Sequence, residues 1–216
     1  MQLSIGLAGL ILAAGNSTRM GTDKAMLPWP PMQSPAAGSL RTTLLSAALA
    51  AFAPFTQISV VVAGRNAEAI AGTVEACGAH LVRNPMPENG QFSSLQLGLR
   101  AILDRGCDAA MITPVDCPPL GFASLQHLYD AFLASLTAEI WAVAPEHAGR
   151  HGHPLLVGRK LIDAFLEAPI TSNARSVLRE HTSRVLYLTV PEPLTASGLN
   201  TPEDYAAAAK QAASKT

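Results

Sequence analysis

Short apolar runs rich in β-branched residues alternate along the chain with longer stretches of helical character. The runs fall at 5–12, 58–63, 80–82, 109–112, 140–144 and 185–190, and the helical stretches at 43–52, 66–77, 93–104, 124–136, 160–168, 172–180 and 202–213. The runs are continuously apolar, with no inside–outside alternation, as expected of strands covered on both faces. Strand followed by helix, repeated, predicts an α/β fold: an open, mostly parallel, Rossmann-like sheet with helices on both faces. Ligands in such sheets bind beyond the carboxyl ends of the strands, so the chemistry should lie just after each apolar run.

One stretch breaks the pattern. Residues 28–39 (PWPPMQSPAAGS) carry four prolines, which exclude a helix or a central strand there. We read 1–216 as one domain with a loop insertion near 28–39. The apolar N-terminal run ends in small residues like the core of a signal peptide, but no Lys or Arg precedes it and it is too short to cross a bilayer. A buried strand is the better reading.

Composition narrows the function. The formal net charge is −1, so nothing global attracts nucleic acid or an anionic membrane, and any phosphate must be bound by a local site. Cys77, Cys107 and Cys117 are odd in number and form no CxxC pair, which argues against a disulfide framework or zinc ribbon and for a reduced, cytoplasmic setting.

Four segments after the apolar runs carry candidate chemistry. The first is Leu12-Ala13-Ala14-Gly15-Asn16-Ser17-Thr18-Arg19-Met20-Gly21-Thr22-Asp23-Lys24. Small residues at 13–15 let backbone N–H groups approach phosphate oxygens, and Arg19 and Lys24 offer a planar fork and a point charge. A solvated turn with two surface cations is the plain alternative. Neither GxxxxGK[ST] nor GxGxxG is present. The second segment runs from Asn84-Pro85 through Gly90 to Ser93 and Ser94, whose hydroxyls at a helix start can cap the helix or bind a polar ligand. In the third, TPVDCPP, Asp116 stands just past a buried strand, where a hard carboxylate oxygen suits Mg²⁺ or merely steadies a turn. Cys117 beside it has no base tied to it by motif and is a poor candidate nucleophile. The fourth is Gly149-Arg150-His151-Gly152-His153-Pro154, where two histidines without a third ligand make a weak zinc site and a flexible, substrate-contacting turn or a structural turn is the stronger reading.

Taken in order, LAAGNSTRMGTDKAMLP, NP…G…SSL…G, VDCPP, GHPLL and GLNTPED resemble the nucleotidyltransferases related to molybdenum cofactor cytidylyltransferase and guanylyltransferase, within the wider sugar-nucleotide pyrophosphorylase superfamily. The resemblance spans nearly the whole chain. It implies a nucleotide-diphospho-sugar transferase fold and transfer of a nucleoside monophosphate from an NTP to a phosphorylated acceptor, molybdopterin foremost, with release of pyrophosphate. It implies Arg19, Lys24 and Asp116 as catalytic residues. Nucleotide contacts fall to Leu12, Ala13, Ala14, Gly15, Asn16, Ser17, Gly21, Asn84, Gly90 and Ser94, and acceptor contacts to Gly152, His153 and Pro154. Mg²⁺ is the implied cofactor, held by Asp116 and Asn200, and a molybdoenzyme or cofactor-delivery protein the implied partner. Ala14 and the GHP turn lean toward CTP, TPVDCPP toward GTP. Gly198 stands where the family often has Asp or Asn, so either Asn200 serves as the second metal ligand, directly or through water, or that ligand is missing. A sugar- or polyol-phosphate transferase, and a non-catalytic nucleotide-binding protein that handles a cofactor, are the competing expectations.

Overall fold

The computed structural model describes residues 6–15, 20–30, 42–135 and 139–213. Among these residues eight strands form one sheet: β1 (Leu7–Ala13), β2 (Ile58–Ala63), β3 (His80–Arg83), β4 (Ala109–Pro114), β5 (Ala142–His147), β6 (Arg150–His151), β7 (Leu155–Gly158) and β8 (Val185–Thr189). The order is β3-β2-β1-β4-β7-β5-β6, with β8 also paired to β5. β1 lies parallel to both β2 and β4, and β8 parallel to β5. The chain therefore leaves β1 toward β2 on one side and returns to β4 on the other, which opens a crevice at the carboxyl end of β1.

The helices are α1 (Leu44–Phe52), α2 (Ala67–Ala76), α3 (Gln91–Leu103), α4 (Phe122–Ser135), α5 (Arg159–Glu167), α6 (Ala174–Glu180) and α7 (Pro202–Ala213). Two core layers result from the two-residue period of the strands. Leu7 and Ile11 of β1 pack with Phe52, Ile70 and Phe132 on one face, while Ala8, Leu10 and Leu12 pack with Leu99, Ile162 and Phe165 on the other. Each Leu, Ile or Phe among them is worth about 1.5–3 kcal/mol on full burial, which is why β1 is apolar along its entire length. Gly98 lets α3 lie close on this second face, since a Cβ there would stand 2.5 Å from Leu10 Cδ1 and 2.9 Å from Val62 Cγ2.

Two expectations need correction. β7 and the two-residue β6 are additional to the predicted runs, and β7 inserts antiparallel between β4 and β5. The 149–154 segment is accordingly no flexible turn: Gly152 N–H donates to the Pro145 carbonyl at 2.9 Å and His153 N–H to the Thr195 carbonyl at 3.1 Å. Second, Ser93 and Ser94 do not cap α3, which begins earlier, at Gln91, with Gly90 in the cap position. Most of the proline-rich insertion lies outside the described residues. Its near end is fixed, however, because Pro28 bridges Thr43 and its carbonyl accepts from Tyr205 Oη of α7 at 2.7 Å.

Candidate nucleotide and acceptor site

At the crevice beyond β1 and β4 lies a cavity of about 310 Å³. Leu12, Ala13, Ala14, Gly15, Lys24, Gly90, Ser94 and Asp116 are among the residues that line it. A Cβ built on Gly15 meets nothing within 4 Å, so the backbone there is bare toward the cavity. Gly15 has no positive φ, whereas Gly21 has φ +68° and Gly90 φ +88°; these two require glycine for conformation. Asn16, Ser17 and Arg19 lie outside the described residues.

Asp116 and Lys24, far apart in the chain, meet here. β4 carries its parallel pairing one step on, with Val115 N–H donating to the Leu12 carbonyl at 3.0 Å, and Asp116 follows. Lys24 Nζ donates to Asp116 Oδ2 at 2.8 Å and to Asn200 Oδ1 at 2.9 Å. The 198–200 segment is tied to the same place by Leu199 N–H, which donates to the Asp116 carbonyl at 2.8 Å. Asn200 itself precedes a capped helix: Asp204 Oδ2 accepts from the N–H groups of Asn200 and Thr201, and Thr201 Oγ1 accepts from Asp204 N–H. Two oxygens, one anionic and one neutral, thus converge on a single cation. The same pair suits a divalent ion that completes its shell with water and substrate phosphate. Among the described residues no cluster of three or more His, Cys, Asp or Glu forms a metal cage.

Asn84 does not line the cavity. It is buried, with its amide donating to Ser93 Oγ at 3.0 Å and Ser94 Oγ at 2.9 Å, so it holds the serines from behind. Cys117 is buried, and burial together with the Asp116 carboxylate pushes its thiol well above the usual range, which removes the thiolate a nucleophile needs.

A second cavity, of about 1000 Å³, adjoins the first and shares Leu12, Gly90, Gln91 and Pro114 with it. Gly152 and His153 line it; Pro154 is buried and does not. Gly152 is required by packing, because a Cβ would overlap Thr195 Cγ2 and the Thr195 carbonyl. His153 Nδ1 is sealed from solvent with no hydrogen-bond partner among the described residues. Burial lowers the pKa of this ring, against opposing effects of an Ile112 backbone hydrogen bond and Asp116.

Three contributors escaped the sequence reading. Asp23 lines the smaller cavity; its Oδ1 accepts from Ala25 N–H at 3.0 Å and its Oδ2 from Asn66 Nδ2 at 2.8 Å. Asn66 also donates to the Ala13 carbonyl at 3.0 Å and accepts from Gly64 N–H at 3.1 Å, fastening the ends of β1 and β2 to the Lys24 turn. Gly64 allows that approach, since a Cβ there would sit 2.9 Å from the Ala14 carbonyl oxygen.

A doubly wound sheet with a bare backbone cradle, a lysine and a carboxylate at its switch point defines a nucleotide-handling α/β domain. The family profile described as MobA-like NTP transferase domain matches residues 9–185, and the chain belongs to that family; it is a nucleotidyltransferase. It is 28% identical over 170 residues to the molybdenum cofactor cytidylyltransferase of Escherichia coli K12, covering 78% of this chain and 79% of that one. Rv0371c of Mycobacterium tuberculosis H37Rv superposes with a TM-score of 0.75 at 23% identity, over 95% of this chain and 98% of that one. A second structure of Rv0371c, in complex with manganese, gives 0.68 at 20% identity, over 94% and 98%. At these identities the two structures speak for the fold. No helix among the described residues is long and apolar enough to cross a membrane.

Proposed function

We propose that the protein transfers a nucleoside monophosphate from an NTP, CTP in preference to GTP, to the terminal phosphate of molybdopterin. An acceptor phosphate oxygen forms a bond to the α-phosphorus, the bond from that phosphorus to the β-phosphate bridging oxygen breaks, and pyrophosphate leaves. The observation that carries this reading is the convergence of Asp116 and Asn200 on Lys24, with Lys24 and Asp116 lining a cavity that shares wall residues with a second, larger one.

The smaller cavity receives the nucleotide and its phosphates, with backbone N–H groups near Gly15 facing oxygen and Lys24 neutralising charge. Arg19, on the same signature loop, assists the leaving pyrophosphate. Ser94 and Gly90 face the nucleoside. Asp116 and Asn200 would hold Mg²⁺ or a related divalent ion, which when bound neutralises charge on the phosphates. The larger cavity holds the acceptor against Gly152 and His153. No general base is needed, since the attacking phosphate is already ionised, and positioning supplies much of the rate. The relatives support this reading: one is named for cytidylyl transfer in molybdenum cofactor synthesis and another was solved with manganese.

The test is a screen of the four NTPs against molybdopterin and a panel of sugar and polyol phosphates, reading pyrophosphate with and without Mg²⁺. Turnover with CTP and molybdopterin is the expected result. Turnover confined to a sugar or polyol phosphate would reassign the acceptor, and none with any pair would leave a nucleotide-binding protein without catalysis.

A further inference from the structure

The larger cavity has a charge bias that Gly152 and His153 do not explain. Among the described residues that line it there is no Asp or Glu, while Arg175 and Arg179 of α6 line it together with His151 and Tyr187. The chain as a whole carries 16 acidic against 15 basic residues, so an acid-free wall with two arginines is local to this cavity. Four residues apart on a helix, the two guanidinium groups share one face.

They also differ from the arginines around them. Arg159 is held by Asp108 and Asp163, and Arg184 by Glu139. Neither Arg175 nor Arg179 has an ion pair or side-chain hydrogen bond among the described residues. On the same wall His151 stacks on Tyr187, centroids 3.6 Å apart and planes 10° from parallel, with Glu146 Oε2 3.2 Å from the outer ring nitrogen of His151. Phe92 and Leu95 add an apolar surface. Unpaired forked cations beside a flat aromatic pair and an apolar floor match a ligand with an oxyanion or other anionic group on a partly apolar, planar body.

We propose that Arg175 and Arg179 form the anion-recognising subsite of the acceptor. The proposal rests on the assignment of the larger cavity to the acceptor. The group they bind is either the phosphate that attacks or a second anionic group of the same molecule, and kinetics separate the two. An arginine pair on the reacting phosphate affects both kcat and the acceptor KM, whereas a pair on a remote group affects KM alone.

The experiment compares the parent with the double variant Arg175→Gln/Arg179→Gln. Both side chains are exposed, so the fold should persist, as circular dichroism and thermal melting would show. With CTP and molybdopterin the acceptor KM should rise about tenfold or more, while the KM for CTP stays within about twofold. Arg175→Lys/Arg179→Lys should recover part of the loss, because it keeps charge and loses the fork. An unchanged acceptor KM in the Gln variant overturns the subsite. If the parent turns over no acceptor, the catalytic reading fails on its own, and calorimetry of molybdopterin with nucleotide-free protein decides the subsite. Tighter binding by the parent supports it; equal binding, or none by the parent, overturns it.

Discussion

The Lys24 ammonium and the Asp116 carboxylate, 92 positions apart, are hydrogen-bonded at 2.8 Å in a setting that leaves 13% and 24% of the two side chains exposed. The residue read as the phosphate cation and the residue read as the metal ligand are thus each other's partner. On the proposed reading, nucleotide binding would redistribute this pair: the ammonium would turn toward phosphate oxygens and leave the carboxylate to hold a divalent ion.

Asp116→Asn should therefore keep the fold and lose turnover by about a hundredfold or more, since the amide preserves shape and removes the charge that binds the ion. Pyrophosphate release, alongside a thermal melt, measures both halves. Parental activity in Mg²⁺ would refute the assignment.

Gly198 offers the converse experiment. A Cβ at this position would lie 3.8 Å from Asp116 Oδ2 and 3.1 Å from the Asn200 amide nitrogen, with no positive φ to resist a side chain. Gly198→Asp should bring a second carboxylate beside the first and shift the midpoint of metal activation to lower concentration, by about tenfold. A midpoint unmoved in a Mn²⁺ or Mg²⁺ titration would show that position 198 does not face the ion.

Gly152→Ala tests the packing of the turn that borders the larger cavity. The added methyl would overlap backbone atoms of Thr195, which cannot rotate away. Overpacking of this kind costs about 1–3 kcal/mol, and the melting temperature should fall by several degrees. A melt equal to the parent's would mean that the 193–196 turn moves freely.

CTP should be used in preference to GTP. Ala14 lines the smaller cavity, and if the nucleotide binds there as proposed its methyl should narrow the space open to a purine. One methyl discriminates by only about 1–3 kcal/mol, so the ratio of kcat/KM values should favour CTP without excluding GTP. Ala14→Gly should raise GTP use. A parent that prefers GTP would refute the reading.

Much of the architecture was legible because the two-faced burial of a parallel sheet writes itself as unbroken apolar runs: β2, with all of 60–63 buried, was read to the residue. β7 escaped because its apolar residues are few and follow Pro154, and because nothing local says that a strand will enter antiparallel between two others. The motif segments were visible as motifs, and the structure brings Gly15, Lys24, Ser94 and Asp116 to one cavity. The Asn66–Asp23 clamp was not visible, since a hydrogen bond across 43 positions leaves no periodic trace. Arg175 and Arg179 belong to no motif; the cavity wall they line and their lack of an ion pair among the described residues set them apart.

The boundary that the two cavities hold in common, through Leu12, Gly90, Gln91 and Pro114, has a kinetic consequence. On the proposed assignment of the cavities, reaction would weld two separate guests into one bivalent product that keeps the nucleoside monophosphate and acceptor contacts, while pyrophosphate leaves with its own. Dissociation must break both sets together, and each half holds the other at high effective concentration. Escape of the product, not bond formation, should then govern turnover. Rapid mixing should reveal a pyrophosphate burst close to one equivalent per active site before the steady phase, and a linear trace from the start would contradict this. A downstream protein that captures the dinucleotide would accelerate the enzyme without touching its chemistry.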